Sequence, residues 1–510
     1  MGLRYQLINF CEFDRFATKS YCAIHKADEN INLGDITKVD ETQLPYYSFI
    51  CGGSPCQDFS LAGKLNGAVW KCRDCGHEYN PLQVHWSERD YCEKCGSSNL
   101  DKTRSSLLVE WLRIIRSVKP RFGIYENVKN IVQKKFRDTT FKLFENELKE
   151  YGYNTYWKVL NAKNYGIPQN RERVFLILIR KEEDNGKFEF PEPFDSERRL
   201  MDILEDEVEE KYYLPEEKVN KLITDLEDKK ALLFEPDKKA LDKWNKPIQI
   251  GQIAEKKGWD NPKIGRVYSS CGTSPAIVTS GGGNHEPKIA IVGKISERYQ
   301  DVILSGLGVA STQMAGHDQT KIVEVGAIRG RYNTDGIIEQ CLEIDKKTEY
   351  THAITSVQKD NILLVRQDTQ KGYEECFLEG VANLSYPYAK GKRGRVQENG
   401  EICPTITAQG SGICRLESLM RIRRLTPLEC FRLMGFSDED FWKAKNIGMS
   451  NNQLYKQAGN SIVVDVLYYI YKELYKVMPY LFEDLKIGSF FSGIGAFEKG
   501  LERLYKEIND

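Results

Sequence analysis

Over the first 180 residues, short apolar runs alternate with amphipathic stretches. "QLINFCE" (6–12), "YYSFICGG" (46–53), "RFGIYENV" (121–128) and "RVFLILIR" (173–180) are nearly continuous in apolar residues, as strands buried on both faces are. Between them, "LLVEWLRIIRSV" (107–118) and "FKLFENELKEYGY" (141–153) place apolar residues at helical spacing. Strands alternating with helices predict an α/β fold with a mostly parallel sheet covered on both faces. After "FPEPF" (190–194) the pattern turns irregular until about residue 420, which reads as a second domain. Helical pattern returns in "TPLECFRLMGF" (426–436) and "SIVVDVLYYIYKELYKVMPYLF" (461–482). The last stretch, "KIGSFFSGIGAFEKGLERLYKEIND" (486–510), predicts a strand at 487–491, a glycine turn at 492–495 and an amphipathic helix at 496–508. A strand, glycine loop and helix usually open a nucleotide-binding α/β domain, with backbone N–H groups facing the ligand. Here they come last.

At 510 residues the chain has material for two or three domains. Its 41% apolar and 29% charged content is that of a globular protein, and no apolar run approaches the ~20 residues that span a bilayer. "MGLRYQLINFCEFD" is no signal peptide, and fourteen scattered cysteines suit a reducing compartment better than a disulfide scaffold. The formal net charge of −1 hides local contrast. "EDEVEEKYYLPEEK" is acidic, whereas "YAKGKRGRVQ" (388–397) and "RIRRL" (421–425) are basic, so a basic cleft on a neutral protein is possible. The irregular region also contains a repeat. "RVYSSCGTSPAIVTSGGG" (266–283) and "RVQENGEICPTITAQGSG" (395–412) share Arg-Val, seven residues, Pro, one residue and Ile, which favours a duplicated module over chance.

Several residues at strand ends are able to carry chemistry. Cys56 follows the strand 46–51 in a Gly/Pro-rich loop, Glu126 sits in "YENV", and Arg171 and Arg173 precede the strand 173–180. Asn460 lies in a turn ahead of a helix. Each alone has a bland explanation: a small buried hydrophobe, a solvated acid, a surface basic pair, a turn residue. Together and in this order they resemble the C5-cytosine DNA methyltransferases. The matches are Pro55-Cys56-Gln57, Glu126-Asn127-Val128, Gln169-x-Arg171-x-Arg173, "RRLTPLECFRLMGF" (423–436) and "QLYKQAGNSIVVDV" (453–466). They cover most of the chain outside about 70–100 and 195–390.

The resemblance implies a Rossmann-like, S-adenosylmethionine-dependent methyltransferase domain and a β-rich target recognition domain. The first would comprise residues 1–194 and 446–510, the second 195–445. Cytosine C5 is a poor nucleophile until a thiolate adds to C6, so Cys56 becomes the covalent nucleophile. Glu126 then relieves charge at N3 and Arg173 at O2, while Arg171 would hold backbone phosphate and the loop. Because C6 is hidden inside a duplex, the cytosine must be flipped out of double-stranded DNA. For the methyl donor, Phe491, Ser492, Gly493, Gly495 and Phe497 would form the cofactor loop. Glu12 would bind the ribose hydroxyls, Phe13 would stack on adenine, and Asp35 and Ile36 would meet its edge. Pro55, Leu107, Asn460 and Ile462 would line the rest. Gln57, Ser60, Arg395, Thr405 and Ile406 would contact DNA, with the later repeat, which carries Thr405-Ile406, taken as the orthodox element.

The family's order places the Phe-x-Gly-x-Gly segment before Glu12, so its late position here implies circular permutation. A further departure is "WKCRDCGHEYNPLQVHWSERDYCEKCGSSNL" (70–100). Cys72-x2-Cys75 and Cys92-x2-Cys95 have the spacing of a structural zinc ribbon, each pair followed by Gly. The insertion interrupts the loop that in this family closes over the base. It would either touch DNA through Lys71, Arg73, Arg89 and Lys94 or act as a stabilising plug. The resemblance further implies a monomeric, cytoplasmic protein from a bacterium or phage, with no membrane association. A tRNA cytosine-5 methyltransferase of related fold and a catalytically silent DNA-binding protein remain alternatives.

Overall fold

The computed structural model describes residues 4–55, 69–102, 107–213 and 420–510. It also describes 246–247, 249–252, 266–269, 273–277, 288–292, 323–332, 338–343, 361–366, 370, 373–377, 381–383 and 413–415. The chain divides into two compact units, one of residues 1–205, 273–285 and 426–510, the other of 206–272 and 286–425.

The first unit is built on a six-stranded sheet. In chain order its strands are β1 (Tyr5–Cys11), β2 (Phe49–Gly52), β6 (Phe122–Val128), β7 (Tyr153–Asn161), β9 (Glu172–Arg180) and β21 (Leu485–Phe490). The spatial order is β1-β21-β2-β6-β9-β7. β1, β21, β2 and β6 run parallel, and β9 runs against them, pairing antiparallel with β6 and with the edge strand β7. The apolar runs explain this arrangement: Phe49, Ile50 and Cys51 in β2 and Val174 to Ile179 in β9 are buried, as strands covered on both faces require. β21 is inserted between β1 and β2, with Phe490 opposite both Cys11 and Gly52.

Among the described residues, eight α-helices of six residues or more, in chain order, cover and border this sheet: α1 (Arg15–His25), α2 (Leu107–Val118), α3 (Lys142–Glu150), α4 (Pro427–Arg432), α5 (Asp438–Asn446), α6 (Asn451–Asn460), α7 (Val464–Val477) and α8 (Ala496–Asn509). On α2, Leu108, Leu112 and Ile115 form an i, i+4, i+7 stripe, and all three are buried. Sequence periodicity extends α3 to residue 153, but the helix stops at Glu150 and Tyr153 opens β7, a strand the pattern does not show. Residues 426–445 belong to this unit rather than to the second. Thr426 and Glu429 form a reciprocal capping box that starts α4, and the buried Asp440 carboxylate of α5 pairs with Lys499 of α8 at 3.1 Å.

The 70–100 insertion folds as a small antiparallel sheet of β3 (Trp70–Cys72), β4 (Glu78–Tyr79) and β5 (Leu100–Lys102), in the order β4-β3-β5. It is seated on the catalytic unit rather than projecting from it. Trp70, Tyr79, Leu82 and Val84 share one core with Trp111 and Phe144. Arg89 is buried and donates to both carboxylate oxygens of Glu147 on α3, at 3.1 and 2.7 Å, and to the Val84 carbonyl at 3.1 Å. Arg116 of α2 lies over the Trp86 ring, 4.4 Å from its centroid. This corrects the expectation that Arg89 reaches DNA: its guanidinium is spent on an internal ion pair. Lys71 and Arg73 are exposed but paired with Glu78 and Asp101, and Lys94 is exposed.

In the second unit the described residues are β-rich. One sheet joins β10 (Gln249–Gln252), β11 (Arg266–Ser269), β13 (Lys288–Val292) and β20 (Met420–Arg424). A second, antiparallel sheet has the order β15 (Ile338–Glu343), β14 (Val323–Tyr332), β16 (Asn361–Arg366), β17 (Tyr373–Phe377). β18 (Val381–Asn383) pairs with β19 (Ile413–Arg415). The remaining short strands, β8 (Gln169–Asn170) and β12 (Ser274–Pro275), belong to the first unit.

Removing one partner of a buried ion pair strands the other charge. Arg89→Ala is therefore expected to lower stability by about 3–5 kcal/mol, whereas Lys94→Ala should fall within about 0.5 kcal/mol of the parent. Denaturant unfolding followed by tryptophan fluorescence reads both.

Candidate active site

The site assembles at the carboxyl edge of the parallel sheet, where strand ends leave backbone and side chains open. Phe49–Gly52 of β2 runs into Gly53-Ser54-Pro55. Tyr125, Glu126 and Asn127 close β6 beside it. Asn127 Nδ2 donates to the Ser54 carbonyl at 3.2 Å and the Tyr125 hydroxyl at 2.9 Å. Ser54 Oγ and Tyr125 Oη lie 2.6 Å apart. This buried network fixes the segment that leads into Cys56. Cys56, Gln57 and Ser60 themselves lie outside the described residues, as do Arg395, Thr405 and Ile406.

Glu126 is buried, and a Cβ placed on Gly53 would come within 3.0 Å of its Oε2. Arg173 Nε approaches Glu126 Oε1 at 3.1 Å. Burial pushes the Glu126 carboxyl above its usual range, and the guanidinium groups of Arg173 and Arg171 offset only part of that. Glu126 is thus a carboxyl that tends to keep its proton, with a cation to steady it when the proton leaves.

Arg171 has a different role from the one its spacing suggests. It is buried, and its guanidinium donates to the carbonyls of Ile277 at 2.9 Å, Gly459 at 3.1 Å and Ser461 at 2.7 Å. A group so enclosed holds no phosphate; it ties the Asn460 turn to residues 273–277. Gln169 reinforces this tie. Its amide donates to the Leu433 carbonyl at 2.8 Å and accepts from Ile277 N–H at 3.3 Å. β12 pairs in parallel with β8, Ser274 opposite Gln169. Among the described residues, the earlier copy of the repeat, with Ala276-Ile277, docks on the Gln169–Arg171 segment.

The other half of the site lies where β1 and β21 end. Glu12 Oε2 accepts from Gly493 N–H and Oε1 from Asp14 N–H, both at 2.8 Å. Burial raises the Glu12 carboxyl above its ordinary range, against these hydrogen bonds. Asn32, not singled out from the sequence, braces Glu12: Oδ1 accepts from Glu12 N–H and Gly34 N–H at 3.0 Å, and Nδ2 donates to the Glu12 carbonyl at 3.1 Å. Its only sequence signal is an Asn two residues before a turn glycine. Cys11 Sγ donates to the Gly34 carbonyl at 3.2 Å, which sets the segment carrying Asp35 against the end of β1, while the Asp35 carboxylate accepts from Thr37 N–H at 3.1 Å and from its hydroxyl at 2.8 Å. Phe13 is 80% exposed. Phe491 adopts φ 54°, a left-handed conformation rare for an aromatic residue, at the start of the glycine turn. Pro55 and Leu107 are partly open and Asn460 is exposed, whereas Ser492, Ile36, Ile462 and Phe497 are buried. The Phe497 side chain, 1% exposed, belongs to the core beneath the loop and offers no surface to a ligand.

Four cysteines form a compact sulfur cluster in the insertion. Cys72 and Cys95 Sγ are 3.6 Å apart, Cys75 and Cys92 Sγ 3.7 Å, and all four lie within 4.8 Å of one another. Zinc–thiolate bonds of ~2.3 Å in a tetrahedron separate sulfurs by about 3.8 Å, and a disulfide by ~2.05 Å, so the spacing fits a shared cation. Gly76 and Gly96 follow the knuckles at φ +71°, the turn geometry their positions predict. Neither His77, paired with Glu93, nor His85 joins the cluster.

A buried carboxyl whose pKa is raised by desolvation, paired with a guanidinium at the end of a parallel strand, is equipment for moving a proton and steadying charge on a bound ring. The sequence profile described as C-5 cytosine-specific DNA methylase matches residues 2–73, 90–301 and 308–476, and the chain belongs to that family. The orphan methyltransferase M.SPBetaI of Bacillus phage SPbeta is 32% identical over 505 residues, covering 93% of each chain. M.SPRI of Bacillus phage SPR is 31% identical over 507 residues, covering 93% of each. The type II methyltransferase M.HhaI of Haemophilus parahaemolyticus is 29% identical over 250 residues, 49% of this chain and 61% of that one. The protein is accordingly a cytosine C-5 methyltransferase. Among the described residues, no helix is long and apolar enough to cross a membrane.

With Glu126 as proton donor, the rate should hold at pH values below its raised pKa and fall as pH climbs through it. Glu126→Gln is expected to lower kcat by about 100-fold or more and to abolish that alkaline fall. An unchanged alkaline limb in the Gln variant would assign it to another group.

Proposed function

We propose that the chain transfers a methyl group from S-adenosylmethionine to C5 of a flipped cytosine in a specific double-stranded DNA sequence, through a covalent Cys56 adduct. The observation that carries this reading is the Glu126–Arg173 pair, 3.1 Å apart, set against the Gly53–Pro55 segment that delivers Cys56. S-adenosylmethionine supplies an electrophilic methyl on a sulfonium. The Cys56 thiolate adds to C6, and the electron pair displaced from the C5–C6 bond charges N3 and O2. Glu126 gives its proton toward N3, and Arg173 stabilises the carboxylate left behind while facing O2. When C5 takes the methyl, the donor sulfur would keep the S–C bond pair as a thioether; N3 would return its proton to the Glu126 carboxylate, C5 would lose its proton to a base, and the C5–H pair would re-form the C5–C6 double bond as Cys56 leaves as thiolate.

The residues around the cofactor loop suit this donor. Glu12 presents a braced carboxylate to ribose hydroxyls, Phe13 an open ring to adenine, and Asp35 stands on the same side. Gln57, Ser60 and Arg395 remain candidates for DNA contacts. For the element nearest the flipped base, the docking of residues 273–277 makes Ala276-Ile277 a candidate beside Thr405-Ile406. The strand–loop–helix at 485–509 follows every other catalytic element in sequence yet supplies an inner strand of the sheet, which supports a circularly permuted order. The family profile stops at residue 476, ahead of that segment. The cysteine cluster holds a structural zinc ion, with no position left open for catalysis. Its core packing and the buried Arg89 support the stabilising role over DNA contact. The names of the orphan phage and bacterial type II relatives support a restriction-modification or phage setting, in a bacterial cytoplasm.

Incubation with labelled S-adenosylmethionine and duplex DNA, followed by sequencing of modified cytosines, tests the main reading. The parent should label DNA and not tRNA, and Cys56→Ala should lose transfer entirely; equal transfer by that variant sinks the mechanism. Elemental analysis should find about one zinc per chain. Its removal by a chelator should lower the thermal midpoint, and a metal-free protein with an unchanged midpoint refutes the structural site.

A further inference from the structure

Beneath the glycine turn is a second set of contacts that the transfer chemistry does not use. Tyr21 and His25 lie one helical turn apart on the inner face of α1, their ring centroids 4.6 Å from each other. The Tyr21 ring stacks on Phe10 of β1 at 4.2 Å, and its hydroxyl donates to Glu498 Oε1 at 2.8 Å. His25 Nε2 meets the Ile494 carbonyl at 3.0 Å. Ile494 is 1% exposed, so no water competes for that carbonyl. The imidazole fills the space under the turn: a Cβ on Gly495, which sits at φ +82°, would fall 1.9 Å from His25 Nε2.

We propose that His25 is a positioning residue for the cofactor loop, its Nε2–H holding the Ile494–Gly495 peptide so that the turn keeps the shape in which it borders the cofactor. This rests on reading that loop as the S-adenosylmethionine site. The turn is fixed from three directions. Glu12 accepts from Gly493 N–H at 2.8 Å, the Ser492 carbonyl accepts from Gly495 N–H at 2.8 Å, and His25 anchors the one carbonyl directed into the core. A carbonyl only accepts, so the ring nitrogen facing it must carry the proton. Burial favours the neutral ring, while Glu498 and the Ile494 carbonyl oppose that, Lys499 assists it, and Asp440 opposes it more weakly. A neutral ring has one N–H, and here it is committed to the loop. Without the donor, a buried acceptor is left unsatisfied, and reversal of the peptide would also break the Gly495–Ser492 bond.

His25→Gln keeps a donor at nearly the position of Nε2, and His25→Leu keeps the bulk without a donor. Equilibrium dialysis with labelled S-adenosylmethionine, on the full chain, should show the parent and the Gln variant binding alike. The Leu variant should bind about tenfold more weakly or worse, with KM for the cofactor raised in step and kcat at saturation changed far less. A Leu variant equal to the parent, or a Gln variant as weak as Leu, overturns the proposal. Nitrogen NMR of the histidine-labelled parent gives a variant-free readout: a proton on Nε2 is expected at His25, and the neutral Nδ1–H tautomer, whose Nε2 carries none, refutes it. A parent that binds no S-adenosylmethionine, yet shows the Nε2–H tautomer, indicts the reading of the loop instead.

Discussion

The pairing of β21 on both its edges is the constraint on which the catalytic unit depends. Leu485–Phe490 gives its backbone hydrogen bonds to β1 on one side and β2 on the other, and no other described strand is placed to satisfy those two edges. An apolar strand buried in this way costs too much to leave unpaired. Once it is in place, the glycine turn that follows must emerge beside Glu12, and the loop after β2 must emerge beside Glu126. The Glu12–Gly493 cluster and the Glu126–Arg173 pair are thus set along one edge of the sheet by a single strand.

Much of this was legible in the sequence because it rests on local rules. The buried runs of β2, β6 and β9, the periodicity of α2, and the strand–loop–helix at the far end were recoverable from spacing alone. Glu12 and Gly493, separated by most of the chain, were linked by the order of motifs in a family and are joined by a hydrogen bond in the structure. What escaped was partnership between distant residues whose types admit many roles. Arg171 and Arg173 look equivalent on paper, yet one guanidinium is enclosed by three carbonyls and the other faces a carboxylate. Nothing in "NRER" distinguishes them. β7 was hidden because its residues alternate weakly and adjoin a strong helical pattern.

The insertion teaches the same lesson from the other direction. Its cysteine spacing announced a metal cluster, but not how the ribbon would sit. That was settled by Arg89 finding Glu147 and by Trp70 joining a core that includes Trp111. A module placed inside a loop need not move with it.

The same inner strand bears on how the protein comes into being at the ribosome. Ser48, just ahead of β2, and Lys486 in β21 are hydrogen-bonded neighbours 438 residues apart in sequence. At a synthesis rate of ~5–20 residues per second, roughly 20–90 s pass between the two. For that interval β1 and β2 have no strand between them, and their apolar edges stand open to other chains. A folding helper acting late, or slow emergence of the second unit, would thus govern the yield of active enzyme more than the stability of the finished sheet.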